Sequence, residues 1–163
     1  MEGMLTGSAE TRTSYILSSL GRQPDCLLIV DDNPDSLYLL GGILLEAGYE
    51  VEFAKDGLSA LEWTGLRKFD AILLDVRMPG MSGFEVSSLI RTSQMNRETP
   101  VIFLTGYNDI GNLSKGFETG GADYVTKLFR KRELLARIKA KVDEGKADRP
   151  DEILNSLRRK LLR

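Results

Sequence analysis

The sequence predicts an α/β chain built as a doubly wound parallel sheet of five strands. Three observations predict it. Short apolar runs alternate with stretches of helical periodicity five times over. Three of the runs, CLLIVDD at 26–32, DAILLDV at 70–76 and PVIFLTG at 100–106, are nearly continuous in apolar residues, as strands covered on both faces are. Several runs finish in a polar residue, and ligands bind at the carboxyl ends of strands in such sheets. Consecutive βα units join parallel strands through right-handed crossovers, which puts helices on both faces.

YEVEFA at 49–54 and ADYVTK at 122–127 complete the five strands. In the first helix Leu37, Leu40 and Leu44 fall at i, i+3 and i+7. Asn33 is placed to cap it, with Pro34 at its first position. Gly41 and Gly42 weaken it by about 1 kcal/mol each, and close packing on the sheet would explain them. Further helices are expected at 57–67, at 84–95 and, weakly, at 109–119. The last helix of the unit puts Leu134, Leu135, Ile138 and Val142 on one face.

The chain divides into an N-terminal extension at 1–24, helical in part, a domain at 25–143, and a linker with a basic amphipathic helix at 144–163. DEGKADRP reads as a polar linker broken by Pro150. DEILNSLRRKLLR follows, with Asp151 as its cap and Ile153, Leu157 and Leu161 at helical spacing. A helix of this length is marginal alone and needs a partner surface. Tyr15, Ile16 and Leu20 would supply one; a longer continuation would serve equally.

Composition excludes several functions. The chain has 163 residues, enough for one domain with a proper core. No histidine is present, so histidine metal ligands, histidine bases and a phosphohistidine carrier are all ruled out. Its one cysteine, Cys26, allows no internal disulfide and starts an apolar run, the setting of a buried structural thiol. No apolar run approaches the ~20 residues of a membrane span, and the N-terminus lacks a signal peptide's basic start and apolar middle. A cytoplasmic location is therefore expected. The net charge is −2. Its distribution is lopsided: Lys127 onward carries 13 Lys/Arg against 6 Asp/Glu, while the preceding residues carry 9 against 18.

Polar residues gather at the strand ends. Asp31 and Asp32 end the first strand, Asp75 the third, Thr105 the fourth and Lys127 the fifth. If the first strand lies between the second and third, they converge on one pocket. Three carboxylates packed together repel unless a cation joins them. An all-oxygen set without His or Cys suits a hard ion, best Mg²⁺. With a hydroxyl and an ammonium opposite, the pocket would cradle a phosphoryl group, and Asp75 would be the nucleophile. Taken singly, each residue has a plainer reading: DDNPD is a helix cap, Asp75 begins a turn, Thr105 ends a strand, and Lys127 is solvated. Their conjunction on separate strands, in the right order, favours the pocket.

LIVDDNPD, ILLDVRMPGMSGFEV, PVIFLTG and GADYVTK together resemble the receiver domains of two-component response regulators, over about residues 25–142. The resemblance implies the flavodoxin-like sheet order 2-1-3-4-5. It implies that Asp75 accepts a phosphoryl group from a sensor histidine kinase or phosphotransfer protein. Asp31, Asp32, Asp75 and the Arg77 carbonyl would hold Mg²⁺. Thr105 and Lys127 would contact the phosphoryl oxygens, and Tyr124 would stand at the switch aromatic. The domain would then be a signalling switch that catalyses only its own phosphorylation and dephosphorylation. The surface of the fourth and fifth strands and helices would respond, with a homodimer as one use of that face. Bulky Arg77 and Tyr107, two residues after Asp75 and Thr105, imply slow dephosphorylation.

One departure stands out. The family usually has Lys-Pro with a cis peptide, where this chain has Lys127-Leu128. A cis bond to Leu would cost ~3 kcal/mol. The loop therefore either keeps a strained bond or goes trans and shifts Lys127, which predicts weakened phosphorylation and tighter beryllofluoride binding in Leu128→Pro. That departure keeps a phosphorylation-independent interaction module as the alternative. An aspartate-based phosphohydrolase would need an Asp where Arg77 stands. RRKLLR is too short to mark a nucleic-acid binder, and no DNA-binding domain is recognisable.

Overall fold

The computed structural model describes residues 23–106, 118, 120–121, 123–147 and 150–162. The N-terminal extension up to residue 22, Tyr107 and nearly all of the expected helix at 109–119 lie outside the described residues. Five parallel strands form one sheet: β1 (Cys26–Val30), β2 (Glu50–Ala54), β3 (Ala71–Asp75), β4 (Val101–Thr105) and β5 (Asp123–Thr126). Their order is β2-β1-β3-β4-β5. This is the predicted architecture, with β1 between β2 and β3. The described helices are α1 (Pro34–Glu46), α2 (Gly57–Leu66), α3 (Gly83–Ile90), α4 (Lys131–Ala147) and α5 (Pro150–Leu161).

Strand side chains alternate between faces, and each face has its own core. Leu28, Val30, Ile72, Leu74 and Phe103 pack with Ala60 of α2 and with Val86 and Ile90 of α3. Leu27, Ile29, Leu73, Ile102 and Leu104 pack with Leu40 and Leu44 of α1 and with Leu134, Ile138 and Val142 of α4. Both faces of the inner strands are thereby covered, which explains their unbroken apolar runs.

Local signals account for most helix starts. Asn33 accepts a hydrogen bond from the Asp35 amide and caps α1, with Pro34 in its first turn. Asp56 caps α2 through the Ser59 amide at 2.8 Å. Ser82 caps α3 through the Glu85 amide. The two α1 glycines differ. A Cβ on Gly41 would stand 2.7 Å from the Phe53 ring, so the helix lies close on the sheet there, whereas Gly42 faces open space.

Three helices depart from expectation. α3 stops at Ile90 rather than near Met95. Asn96 causes the early end: fully buried, it accepts from the Phe69 amide and from Thr99 Oγ1, and donates to the Thr64 and Arg67 carbonyls. A polar residue satisfied four times inside the core holds its segment out of the helix. α4 runs through Ala147, so residues 143–147 continue a helix where a linker was expected. Lys139–Asp143 and Lys141–Glu144 pairs line its side, and Lys146 bonds Asp25 at 2.9 Å. α5 starts at Pro150, which puts Asp151 inside its first turn and not at the cap. Leu154, Leu157 and Leu161 of α5 are exposed, and the Tyr15, Ile16 and Leu20 surface suggested for it lies outside the described residues.

Candidate functional site

The sheet order brings the ends of β1 and β3 side by side. Val30 pairs with Leu74, so Asp31 emerges next to Asp75. Backbone bonds fix both chains beyond the strands: Asp31 N to Ala54 O at 3.1 Å, and Val76 N to Leu104 O at 3.1 Å. On the far side Thr105 pairs with Thr126, and the Lys127 amide bonds Thr105 O at 2.9 Å. Lys127 thus leaves β5 pointing back over the pocket.

Oxygens of Asp31, Asp32 and Asp75 all lie within 4.8 Å of one another, a group able to hold a metal ion. Asp31 and Asp75 are buried to 1 % exposure, while Asp32 is open to solvent. Asp31 Oδ1 accepts from the Asn33 amide at 3.0 Å, but its buried Oδ2 has no hydrogen-bond partner. Asp75 Oδ1 accepts from the Arg77 amide at 3.3 Å. Asp75 Oδ2 accepts from Lys127 Nζ at 3.0 Å, and the same ammonium lies 4.0 Å from Asp31 Oδ2. A buried carboxylate oxygen without a donor is costly. Here it faces a second buried carboxylate and a third exposed one. That chemistry fits a hard divalent cation bound by oxygen.

Burial raises the Asp75 carboxyl to about 6; Asp31 pushes in the same direction, while Lys127 and the Arg77 amide pull it back. For Lys127, burial works to lower its value, but the Asp75 bond and the surrounding carboxylates outweigh it, so the ammonium is held more firmly protonated. The charged Lys127 ammonium therefore favours an ionised Asp75 against the pull of burial.

The Lys127–Leu128 peptide is trans, since the described residues contain no cis bond. Lys127 nonetheless reaches Asp75, and Leu128 points outward, 87 % exposed. The expected displacement of Lys127 is not seen. Thr105 is fully buried, and its hydroxyl donates to the Gly106 carbonyl at 3.1 Å rather than into the carboxylate group. Tyr124 is half-buried one strand further out, packed against the Phe103 side of the core. Arg77 contributes its amide to Asp75, and its side chain is exposed. Asp31, Asp32, Asp75 and Lys127 therefore meet, whereas Thr105 borders the pocket and Tyr124 stands apart from it.

Sequence reasoning missed Gly83. A Cβ there would run into the Asp75 carbonyl and Val76 Cα, so only glycine lets α3 begin against the end of β3. Its amide bonds Val76 O at 2.9 Å. The Ser82…Glu85 spacing was the available signal for a helix start here. Cys26 has no part in the site: burial pushes its thiol up to about 11, so it stays neutral and inert.

Comparisons with known proteins agree with this geometry. Residues 27–139 match the response regulator receiver domain family. The chain is 39% identical over 122 residues to the transcriptional activator protein IrlR of Burkholderia pseudomallei, covering 74% of this chain and 52% of that protein. It is 36% identical over 124 residues to the transcriptional regulatory protein TcrA of Mycobacterium tuberculosis, covering 76% and 48%. The chain thus spans about half the length of these curated relatives. Among solved structures, a CheY-like response regulator receiver domain protein from Methanospirillum hungatei superposes with a TM-score of 0.72 at 30% identity, covering 77% of this chain and 99% of that one. The receiver domain of sensor histidine kinase PA1611 from Pseudomonas aeruginosa, solved with a magnesium ion coordinated in its active site cleft, gives 0.69 at 29%, covering 74% and 99%. On both the family match and the shared fold, this chain belongs to the response regulator receiver domains of two-component systems.

Proposed function

We propose that Asp75 accepts a phosphoryl group from a phosphohistidine on a sensor kinase or phosphotransfer protein. The observation that carries this reading is the buried Asp75 carboxylate, held at 3.0 Å by Lys127 and grouped with Asp31 and Asp32. One Asp75 oxygen attacks phosphorus as the donor's phosphorus–nitrogen bond breaks, and its electron pair returns to the imidazole nitrogen. Lys127, which now neutralises Asp75, passes to a phosphoryl oxygen. The Thr105 hydroxyl, now spent on Gly106, turns to another.

Asp31, Asp32, Asp75 and the Arg77 carbonyl would hold Mg²⁺. When bound, that ion supplies the positive charge which lets a phosphate approach three carboxylates. The orphaned Asp31 Oδ2 supports this assignment, as does the magnesium in the cleft of the Pseudomonas aeruginosa receiver. Movement of Thr105 frees space beside β4, and Tyr124 follows it, biasing the surface made by β5 and α4. The chemistry is confined to the domain's own phosphorylation and hydrolysis, so the protein works as a switch. Its location is proposed as cytoplasmic, beside the kinases that serve receivers; no helix among the described residues is long and apolar enough to cross a membrane.

Acyl phosphates are cleaved by hydroxylamine, whereas phosphate esters of Ser, Thr or Tyr survive it. Label transferred from a phosphorylated kinase or phosphotransfer protein should therefore be released by neutral hydroxylamine and be absent from Asp75→Asn. Label that resists hydroxylamine would refute the proposal.

A further inference from the structure

α2 is apolar nearly all round. Of its ten residues, GLSALEWTGL, only Glu62 is charged. A helix of that kind is normally buried on every side. Here one face is open: Leu58, Glu62 and Leu66 stand at i, i+4 and i+8, and the two leucines are 67 % and 74 % exposed. A groove flanks the helix on each side. One, of about 500 Å³ against α1 and β2, has Leu37, Phe53 and Trp63 in its walls. The other, of about 550 Å³ against α3, has Leu61, Leu89 and Met95. The Trp63 indole donates to the Phe53 carbonyl at 3.1 Å, which holds the first groove in shape. Gly65, on the second, faces open space. The domain's own packing does not require a glycine there, and a partner can approach the backbone closely.

α5 has the complementary form. Leu154, Leu157 and Leu161 recur at i, i+3 and i+7 and are all exposed. Arg158 and Lys160 fall on the two sides of that stripe. Twelve residues are too few for a helix to persist in water without a surface to cover it. Two α5 helices laid against each other would set these basic flanks side by side, which disfavours that pairing. Against α2 the same flank meets Glu62, on a body whose residues before Lys127 carry 18 acidic side chains against 9 basic. The chain's own α2 is out of reach. α4 packs on one face of the sheet and α2 on the other, and Lys146 ties the end of α4 to Asp25. Only two residues join Ala147 to Pro150, a span of about 7 Å at most.

We propose that α5 of one copy docks along α2 of a second copy, and that the exchange is reciprocal. Two equal contacts then close a two-fold dimer. Leu154, Leu157 and Leu161 cover Leu66 and the grooves beside it, and Arg158 lies next to Glu62. This face borders β2, the edge of the sheet opposite β5, so the exchange leaves the surface of β5 and α4 open.

The test is sedimentation equilibrium of the full chain from micromolar to submillimolar concentration. Wild type should dimerise. Leu66→Asp spoils the α2 face and Leu157→Asp the α5 stripe; both side chains are exposed, so neither change enters the core. Each variant alone should be monomeric. Their equimolar mixture should regain dimers, weaker than wild type but well above either alone, because one intact α5 then meets one intact α2. A monomeric wild type overturns the inference and leaves the face to a different protein or to a membrane. Dimeric Leu66→Asp, which means that α5 helices pair with each other, overturns it. Dimeric Leu157→Asp, which means that α2 faces pair, does so too, as does a mixture no more associated than its parts. A charge exchange keeps the test independent of how well Leu157→Asp folds. Glu62→Arg and Arg158→Glu should each raise the dimer Kd about threefold or more, and the double variant should return it to within about twofold of wild type. Losses that simply add in the double variant overturn the inference.

Discussion

Lys127 Nζ stands 3.0 Å from Asp75 Oδ2 although the peptide that follows Lys127 is trans and leads to leucine. The bond spans the pocket between two strands that are not neighbours, since β4 lies between β3 and β5. It is charge-assisted and connects a buried acceptor to a donor whose side chain is 42 % exposed. Lys127→Ala should weaken beryllofluoride binding about tenfold or more, the loss expected for a hydrogen bond to a charged group. Leu128→Pro, expected from sequence to tighten that binding, should change it by less than about twofold, because the lysine is already in place. Fluorine NMR titrations of both variants check this; a large gain in Leu128→Pro would show that the trans loop handicaps the site.

The Asp75 carboxyl makes folding depend on pH. Its folded value of about 6 lies above the ordinary 3.8. Between those values the folded chain holds a proton that the unfolded chain has released, so stability falls as pH rises through this window. Above it the penalty is complete, on the order of 3 kcal/mol in metal-free buffer. Asp75→Asn should therefore be more stable than wild type at pH 7, and the two should converge below about pH 4. Urea unfolding in EDTA across this range measures it; a wild type as stable as the variant at pH 7 would contradict it.

Magnesium should remove the same penalty. A cation that binds only the folded pocket stabilises by mass action, about 2.7 kcal/mol at a hundredfold excess over Kd. Millimolar Mg²⁺ should raise the melting temperature of wild type and lose most of that effect in Asp31→Asn and Asp75→Asn. Equal shifts in all three proteins would place the ion elsewhere.

Asn96 should matter for stability alone. Removing its four hydrogen bonds leaves buried backbone groups unsatisfied. Asn96→Ala should cost roughly 3 kcal/mol and leave the magnesium affinity within about twofold. Denaturant midpoints and a Mg²⁺ titration separate the two effects.

The readable parts of this fold were those carried by local chemistry or by period. Asn33-Pro34 announced α1, and unbroken apolar runs announced the inner strands. Leu134, Ile138 and Val142 announced the buried face of α4. The pocket was legible because strand ends converge in a doubly wound sheet, so Asp31, Asp32, Asp75 and Lys127 could be collected before their geometry was known. What stayed hidden depends on residues far apart in sequence. Asn96 ends α3 through carbonyls at Thr64 and Arg67. Lys146 steadies the last turn of α4 through Asp25. Gly83 is needed because of a carbonyl eight residues earlier.

The most direct test is the intact mass after incubation with acetyl phosphate, with and without Mg²⁺, for wild type and Asp75→Asn. Wild type should gain one phosphoryl group in Mg²⁺ and none in EDTA, and Asp75→Asn should gain none. An unmodified wild type in Mg²⁺, or an adduct that persists in Asp75→Asn, would contradict it.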